Sequence, residues 1–100
     1  MSVLGFTLAR ISGVSMEPML TDGSVALFRR PLFRACQAER GDIVLVDHPD
    51  FGVIVKRVRS VGADGAVALE GTSSASTPAS MLGSVNPVRL RGVLVKAWSV

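Results

Sequence analysis

The chain is 100 residues long, 48% hydrophobic and 19% charged, which is the size and composition of one small globular domain. This composition excludes a disordered tail, and the single cysteine, Cys36, excludes a disulfide scaffold. No apolar run approaches the ~18 residues of a transmembrane helix, and the apolar start lacks the basic residues of a signal peptide. We therefore expect a single domain over residues 1–100.

The charge pattern indicates which partners such a chain could bind. Its formal net charge is +3, which favours an acidic partner such as nucleic acid or an anionic membrane surface. Nine of the 11 basic residues are arginines, and the only lysines are Lys56 and Lys96. Aromatic residues make up only 5% of the chain, so there is little material for stacking nucleic-acid bases.

Strand signals dominate the chain. Short β-rich runs bounded by Gly, Pro, Asp and Ser predict strands over residues 6–11, 24–28, 42–47, 52–61, 66–70 and 92–97. Ala63-Asp64-Gly65 predicts a hairpin turn, and a short helix is predicted over residues 16–20, with Pro18 in its first turn. Residues 72–80, rich in Ser, Thr and Ala, are predicted as a loop. Many short strands without a long helix favour a small β-barrel or a folded sheet.

One of the two lysines lies in the middle of a predicted strand. Residues 52–61 read Gly-Val-Ile-Val-Lys-Arg-Val-Arg-Ser-Val, and strand alternation places Lys56 on one face between Ile54 and Val58. Such a lysine is either solvated at the sheet edge or buried, and periodicity alone favours the solvated state. If it is buried, its pKa falls, and the neutral amine can act as a general base, which an arginine cannot do.

A second segment of interest joins the first two predicted strands. Residues 12–20 read Ser-Gly-Val-Ser-Met-Glu-Pro-Met-Leu, in which Gly13 permits a sharp bend just before Ser15. A serine at a strand-to-helix junction can be an exposed nucleophile whose neighbouring N–H groups receive an oxyanion, or it can cap the helix. The local sequence alone favours the cap.

Together, the two segments resemble the nucleophile and general-base boxes of Ser/Lys peptidases, the group of type I signal peptidases and the self-cleaving domains of LexA-like repressors. Residues 41–46, Gly-Asp-Ile-Val-Leu-Val, resemble the strand between those boxes. The order and spacing also fit, and the resemblance runs from about residue 11 to the C-terminus. It implies a mostly β fold, in which a coiled antiparallel sheet forms a small partial barrel with one short helix after the nucleophile.

The resemblance also implies a role for each matched position. Ser15 is the expected nucleophile and Lys56 the expected general base, and Met16 is expected near the substrate cleft. Some relatives carry a hydroxyl residue two positions before the nucleophile, where this chain has Gly13. The Ser15 N–H is expected to form part of the oxyanion hole, and at Gly13 and Val14 only backbone groups are expected to serve it.

The family's later box, Gly-Asp-Asn followed by a Ser/Thr-containing turn, is altered in this chain. Gly71 remains, but Thr72 and Ser73 replace the Asp and the Asn. Ser76 matches the hydroxyl that orients the lysine in signal peptidases, with Thr77 as a substitute. The alteration bears on the rigidity of this loop and on turnover, and a family member that has lost activity is one alternative.

Other kinds of site are less consistent with the sequence. His48-Pro49-Asp50 predicts an exposed turn, which argues against a Ser-His-Asp triad built on the only histidine. One histidine and one distant cysteine cannot form an ordinary zinc site, and no Gly-rich phosphate loop is present, so no metal or cofactor is expected. The rival from another class is a small basic β-barrel that binds nucleic acid or a protein partner. Its contact patch would consist of Arg29, Arg30, Arg34 and Arg40.

The sequence thus favours a serine endopeptidase that cleaves a leader or an extended segment from a precursor protein in trans. Neither Ala-Gly nor Cys-Gly occurs in the chain, so repressor-like self-cleavage is not expected. We expect neither the membrane anchor nor the second domain of a signal peptidase in so short a chain, which is similar to the small peptidases that mature nickel superoxide dismutase. The expected partner is a precursor protein or peptide, paired with an edge strand, and no nucleic acid. The expected location is the cytoplasm, with peripheral membrane contact allowed and no transmembrane span.

Overall fold

A computed structural model of the chain describes residues 2–3, 5–13, 16–30, 37–72 and 77–99. Within this part of the chain, one antiparallel sheet contains eight strands. They are β1 (Ser2–Val3), β2 (Phe6–Arg10), β3 (Val25–Arg29), β4 (Ile43–His48), β5 (Gly52–Val61), β6 (Val67–Glu70), β7 (Ser84–Val85) and β8 (Leu90–Trp98). A four-residue helix, α1 (Ala79–Leu82), lies between β6 and β7, and a 3₁₀ turn, Pro87–Arg89, precedes β8.

The strand order across the sheet is β1-β2-β3-β8-β4-β5-β6-β7. Strands β1 to β3 form one series of antiparallel hairpins and β4 to β7 form another, and β8 lies between β3 and β4 and joins the two. The outer strands β1 and β7 do not pair with each other in the described residues, so the sheet is not closed into a barrel. The mostly β, antiparallel fold is confirmed, and each of the six predicted strands is present within two residues of its predicted ends.

Strand β4 carries the core because both of its faces are buried. Alternate residues of a strand point to opposite faces, so Val44 and Val46 enter one apolar cluster while Ile43 and Leu45 enter the other. The first cluster also contains Val58, Val67, Leu69, Leu82, Val85 and Leu90. The second also contains Ile11, Met16, Leu20, Ala26 and Phe28. The sheet is therefore covered on both sides at the place where β4 meets β5.

The predicted hairpin between β5 and β6 is confirmed. Val61 pairs with Val67, and the turn between them holds Gly65 at a φ of 86°, which favours glycine. The Asp64 carboxylate accepts the backbone N–H of Ala66 at 3.0 Å. The Asp-Gly pair therefore acts in this turn as its chemistry predicts.

One short helix is present, as expected, but the position predicted over residues 16–20 is wrong. Those residues form a turn, in which the Leu20 N–H donates to the Met16 carbonyl at 2.8 Å. Pro18 lacks an N–H and disfavours helical backbone at the residue before it, so the turn does not extend into a helix. The α-helix of the described chain is α1, which follows Pro78. No helical segment in this part of the chain has the length and apolarity needed to cross a membrane.

Candidate active site

Lys56 lies in the middle of β5 and is buried. It pairs across the ladder with Val44 of β4, which is completely buried, and its neighbours on the same face are Ile54 and Val58. Only 5% of the Lys56 surface is exposed. The sequence left open whether Lys56 is solvated or buried, and the structure shows that it is buried. The apolar cluster around β4 covers this face of β5.

Burial determines the acid–base properties of this lysine. It lowers the pKa of the Lys56 amine below the ordinary value of 10.5, because the ammonium form loses its hydration. Lys56 also has at least one interaction partner in the structure. A buried lysine with a lowered pKa is a better proton acceptor near neutral pH than a solvated one.

A cleft of about 240 Å³ opens beside Lys56. Its walls are formed by the end of β2, by the turn of residues 16–20 and by the first half of β5. The described residues that line it are Arg10, Ile11, Ser12, Met16, Val53, Ile54, Val55 and Lys56. Met16 is buried, with only 2% of its surface exposed, and it lies beside the cleft as predicted. The fold thus brings the residue that follows Ser15 in the sequence to the same cleft as Lys56.

The first half of β5 presents a free strand edge to this cleft. The Val58 N–H donates to the Asp42 carbonyl at 2.8 Å, and alternate residues of an antiparallel strand direct their N–H and C=O groups to opposite sides. Val53 and Val55 therefore direct theirs away from β4. Pairing between β5 and β6 begins only at Arg57, so no strand among the described residues covers this edge.

The segment before Ser15 is held by a carboxylate. Gly13 has a φ of 86°, which favours glycine, and its N–H donates to Asp22 Oδ1 at 2.8 Å. Asp22 belongs to the connection between β2 and β3, where the pair Asp22-Gly23 is a local turn signal. An aspartate in a turn commonly accepts a backbone N–H, but the partner nine residues away follows from the β2–β3 pairing and not from a local pattern.

The turn of residues 16–20 is fixed at both of its sides. Met16 and Leu20 are buried in the same apolar cluster. The Thr72 hydroxyl, which follows β6, donates to the Glu17 carbonyl at 3.0 Å. Thr72 stands where the family has an aspartate, and here it joins the altered box to the turn after Ser15. The turn is therefore anchored to both series of hairpins.

Three of the predicted site residues, Val14, Ser15 and Ser76, lie outside the described residues. Thr77 is half-buried and has an interaction partner, but it is not among the described residues that line the cleft beside Lys56. The structure thus brings Lys56 and Met16 together at one cleft. The roles predicted for the serine and for the lysine-orienting hydroxyl stay predictions.

His48 is buried, whereas the sequence predicted it in an exposed turn. The flanking Pro49 and Asp50 are exposed, but only 4% of the His48 surface is. Its Nδ1 accepts the Asp50 N–H at 3.1 Å, so Nε2 carries the proton and donates to the Leu82 carbonyl at 2.8 Å. Nε2 therefore joins the ring to α1 and Nδ1 joins it to the β4–β5 turn, so neither nitrogen is left for a serine. In the described part of the chain, no group of three or more His, Cys, Asp or Glu side chains could hold a metal ion.

Comparison with known proteins identifies a family. A family model described as Peptidase S24-like matches residues 5–95, which run from β2 into β8 and include the cleft, the turn and Lys56. Neither the curated proteins nor the solved structures gave a match to this chain.

Proposed function

The chain belongs to the peptidase S24-like family, and from this premise we propose that it is a serine endopeptidase with Ser15 as nucleophile and Lys56 as general base. The observation that carries the proposal is the burial of Lys56 beside a cleft. Burial lowers the pKa of its amine, and the cleft is shared with Met16, the neighbour of Ser15 in the sequence. Such burial would not stabilise a lysine that serves only as a structural cation, because the ammonium form loses its hydration there.

The proposed reaction is acyl transfer in two steps. The Ser15 hydroxyl attacks the carbonyl carbon of the scissile peptide while its proton passes to the neutral Lys56 amine. Lys56 then gives that proton to the leaving amine, and the acyl group remains as an ester on Ser15. In the second step Lys56 accepts a proton from water, the hydroxide formed cleaves the ester, and the proton returns to the serine oxygen.

The oxyanion that forms during attack requires hydrogen-bond donors. The Gly13 N–H is already engaged by the Asp22 carboxylate at 2.8 Å, so the proposed donors are the backbone N–H groups of Val14 and Ser15. Gly13 contributes the bend that presents them, since its φ of 86° disfavours other residues. Donors fixed in advance in this way stabilise the transition state more than donors that must reorient.

We propose that the substrate binds as an extended strand along the free edge of β5. Val53 and Val55 offer two N–H and two C=O groups there, and their side chains line the cleft. Strand addition of this kind obtains affinity from the main chain and specificity from alternate side chains. The scissile bond would then lie where the strand passes Lys56.

The substrate class we propose is a leader or extended segment of a precursor protein, cleaved in trans. The chain contains neither of the dipeptides at which LexA-like repressors cleave themselves, which supports a separate substrate. Maturation peptidases of the kind that process nickel superoxide dismutase are the leading example by sequence resemblance. Activity in the cytoplasm, with peripheral contact to a membrane, belongs to the same proposal.

The test uses the full chain and leader-bearing precursor proteins, with cleavage measured across pH. Ser15→Ala and Lys56→Ala should each lower kcat by about 1,000-fold or more, since nucleophile and base act as a unit. Lys56→Arg should be equally inactive because arginine keeps its proton. Lys96→Ala is the matched control, as it removes the other lysine from an exposed position.

The pH profile gives an independent readout. Wild-type kcat should rise with pH through the lowered pKa of Lys56, because only the neutral amine accepts the serine proton. Equal cleavage by wild type, Ser15→Ala and Lys56→Ala would refute the dyad. Retained activity in Lys56→Arg would refute the general-base role, and inactivity of the wild type toward every precursor would favour a family member without peptidase activity.

A further inference from the structure

A second cleft, of about 390 Å³, is rich in arginine. We call it the arginine cleft. The described residues that line it are Met19, Arg40, Gly41, Arg57, Val58, Arg59 and Glu70. They come from the turn of residues 16–20, from the turn before β4 and from the paired parts of β5 and β6.

The charges of the arginine cleft are unbalanced. Glu70 is its one acidic residue among those described, and this carboxylate is bound to Arg57, whose Nε and Nη2 lie 2.7 and 2.6 Å from Glu70 Oε2. Neither Arg40 nor Arg59 forms an ion pair with any described residue. Among the described residues, two guanidinium groups in a concave site therefore have no carboxylate partner, and a third is fixed beside them.

The arginine cleft continues the active-site cleft along β5. Residues 53–56 of that strand line the first cleft, and residues 57–59 line the second. The same turn separates the two, with Met16 at the first and Met19 at the second. Because β6 pairs with β5 from Arg57 onward, a chain paired with Val53 and Val55 would leave the strand edge after Lys56. From there it would pass over this turn to the guanidinium groups.

We propose that the arginine cleft binds an acidic side chain of the substrate, so that the enzyme selects segments with a glutamate or aspartate to one side of the scissile bond. This inference rests on the proposed function. Arginine binds carboxylates through paired N–H groups, and the half-exposed Met19 offers an apolar wall for the methylene groups of a glutamate. An acidic peptide is favoured over nucleic acid because Arg29 and Arg30 of the predicted phosphate patch do not line this cleft; Arg34 lies outside the described residues.

The test separates binding from cleavage. The full chain carrying Ser15→Ala is titrated into two fluorescein-labelled peptides of twelve residues. This length exceeds the ~20 Å that residues 53–59 of β5 cover along both clefts at ~3.3 Å per residue. One is Ala- and Ser-based with three glutamates near one end, and the other has glutamines in their place. The glutamate peptide should bind about ten-fold more tightly, and added salt should reduce the difference.

Arginine variants locate the effect. Arg40→Gln with Arg59→Gln should abolish the preference for the glutamate peptide, while the matched pair Arg29→Gln with Arg30→Gln should keep it. Thermal melting shows whether each variant is folded. If the double variant is unfolded, the single variant Arg59→Gln replaces it, and it should lose part of the preference for the glutamate peptide. With a cleavable precursor, the first pair should raise KM with kcat unchanged.

The outcomes are distinguishable from failure of the peptidase proposal. Equal binding of both peptides, or equal loss in both arginine pairs, would overturn the acidic-substrate inference even if the precursor is cleaved. A labelled DNA duplex that binds in place of the glutamate peptide, through Arg40 and Arg59, would also overturn it. Preference for the glutamate peptide without any cleavage would support the cleft as an acidic-peptide site and count against the dyad.

Discussion

Replacing Lys56 with methionine should make the protein more stable and inactive. Methionine has a similar length and no charge, so it fills the same space between β4 and β5 without a cavity. With only 5% of its surface exposed, Lys56 costs about 1–3 kcal/mol as a buried polar group. Its interaction partner offsets part of that cost, so we expect a gain of about 1–2 kcal/mol in the free energy of unfolding at neutral pH.

The gain should depend on pH in a defined direction. The pKa of Lys56 is lower in the folded protein than the ordinary 10.5, so the unfolded chain binds the proton more tightly and the wild type gains stability as pH rises. This gain falls in the window between the lowered folded pKa and 10.5, with a slope of at most ~1.4 kcal/mol per pH unit. The advantage of Lys56→Met should therefore be largest below that window and shrink through it.

Urea unfolding at a series of pH values measures both effects, with far-ultraviolet circular dichroism as the signal. The fluorescence of Trp98 is not used because Lys96 Nζ lies 5.4 Å from the centroid of its ring. At neutral pH the melting temperature of Lys56→Met should be higher by about 4–8 °C per kcal/mol. Lys96→Met is the matched control for a change of net charge, and it should keep the pH dependence of the wild type. A Lys56→Met protein that is less stable, or whose advantage does not change with pH, would refute the burial of an amine with a lowered pKa.

Three further predictions concern residues around the site. Asp22→Ala should lower kcat by about ten-fold, because the loop before Ser15 is released. The control is Asp64→Ala, which removes the same kind of hydrogen bond from the β5–β6 turn. Each variant should lose ~1 kcal/mol of stability, but kcat should be unchanged in Asp64→Ala. Thr72→Val should lower kcat and Thr72→Ser should restore it, since only the hydroxyl holds the Glu17 carbonyl; equal activity of both would contradict this role. Gly92→Ala should lower the free energy of unfolding by about 1–3 kcal/mol, measured in urea, because the new Cβ would lie 2.8 Å from the Cβ of Phe28. Unchanged stability would show that β3 and β8 can move apart to admit the methyl group.

Most of the sheet could be predicted because its strands carry local signals. The apolar runs and their Gly, Asp and Pro boundaries place six of the strands, and the Asp64-Gly65 pair places a hairpin. β1 and β7, at two residues each, are too short to carry a periodic pattern. The short helix was misplaced because residues 16–20 have the composition of a first helical turn, while Pro18 prevents its continuation.

The state of the candidate site depended on tertiary packing. Alternation showed that Lys56 shares a face with Ile54 and Val58, but whether that face is covered depends on β4 and on the cluster around Val44, which no local pattern reports. The same holds for His48, whose turn is exposed as predicted while its ring is buried under α1. The arginine cleft escaped prediction for a related reason, since Arg40 and Arg59 come together only through strand pairing.

Strand β8 sets the alignment of the site although it contributes no residue to it. The turn after Ser15 belongs to the hairpins β1 to β3 and Lys56 to the hairpins β4 to β7, and in the described chain strand pairing joins these two series only through β8. Both of its ladders contain a shift of register, between Leu27 and Phe28 and between Leu45 and Val46. A slip by one residue in either ladder would move the turn relative to Lys56 by about 3.3 Å, whereas a misplacement of about 1 Å already costs a reaction on the order of 100-fold. The proposed activity therefore requires long-range pairing that neither the segment around Ser15 nor that around Lys56 encodes.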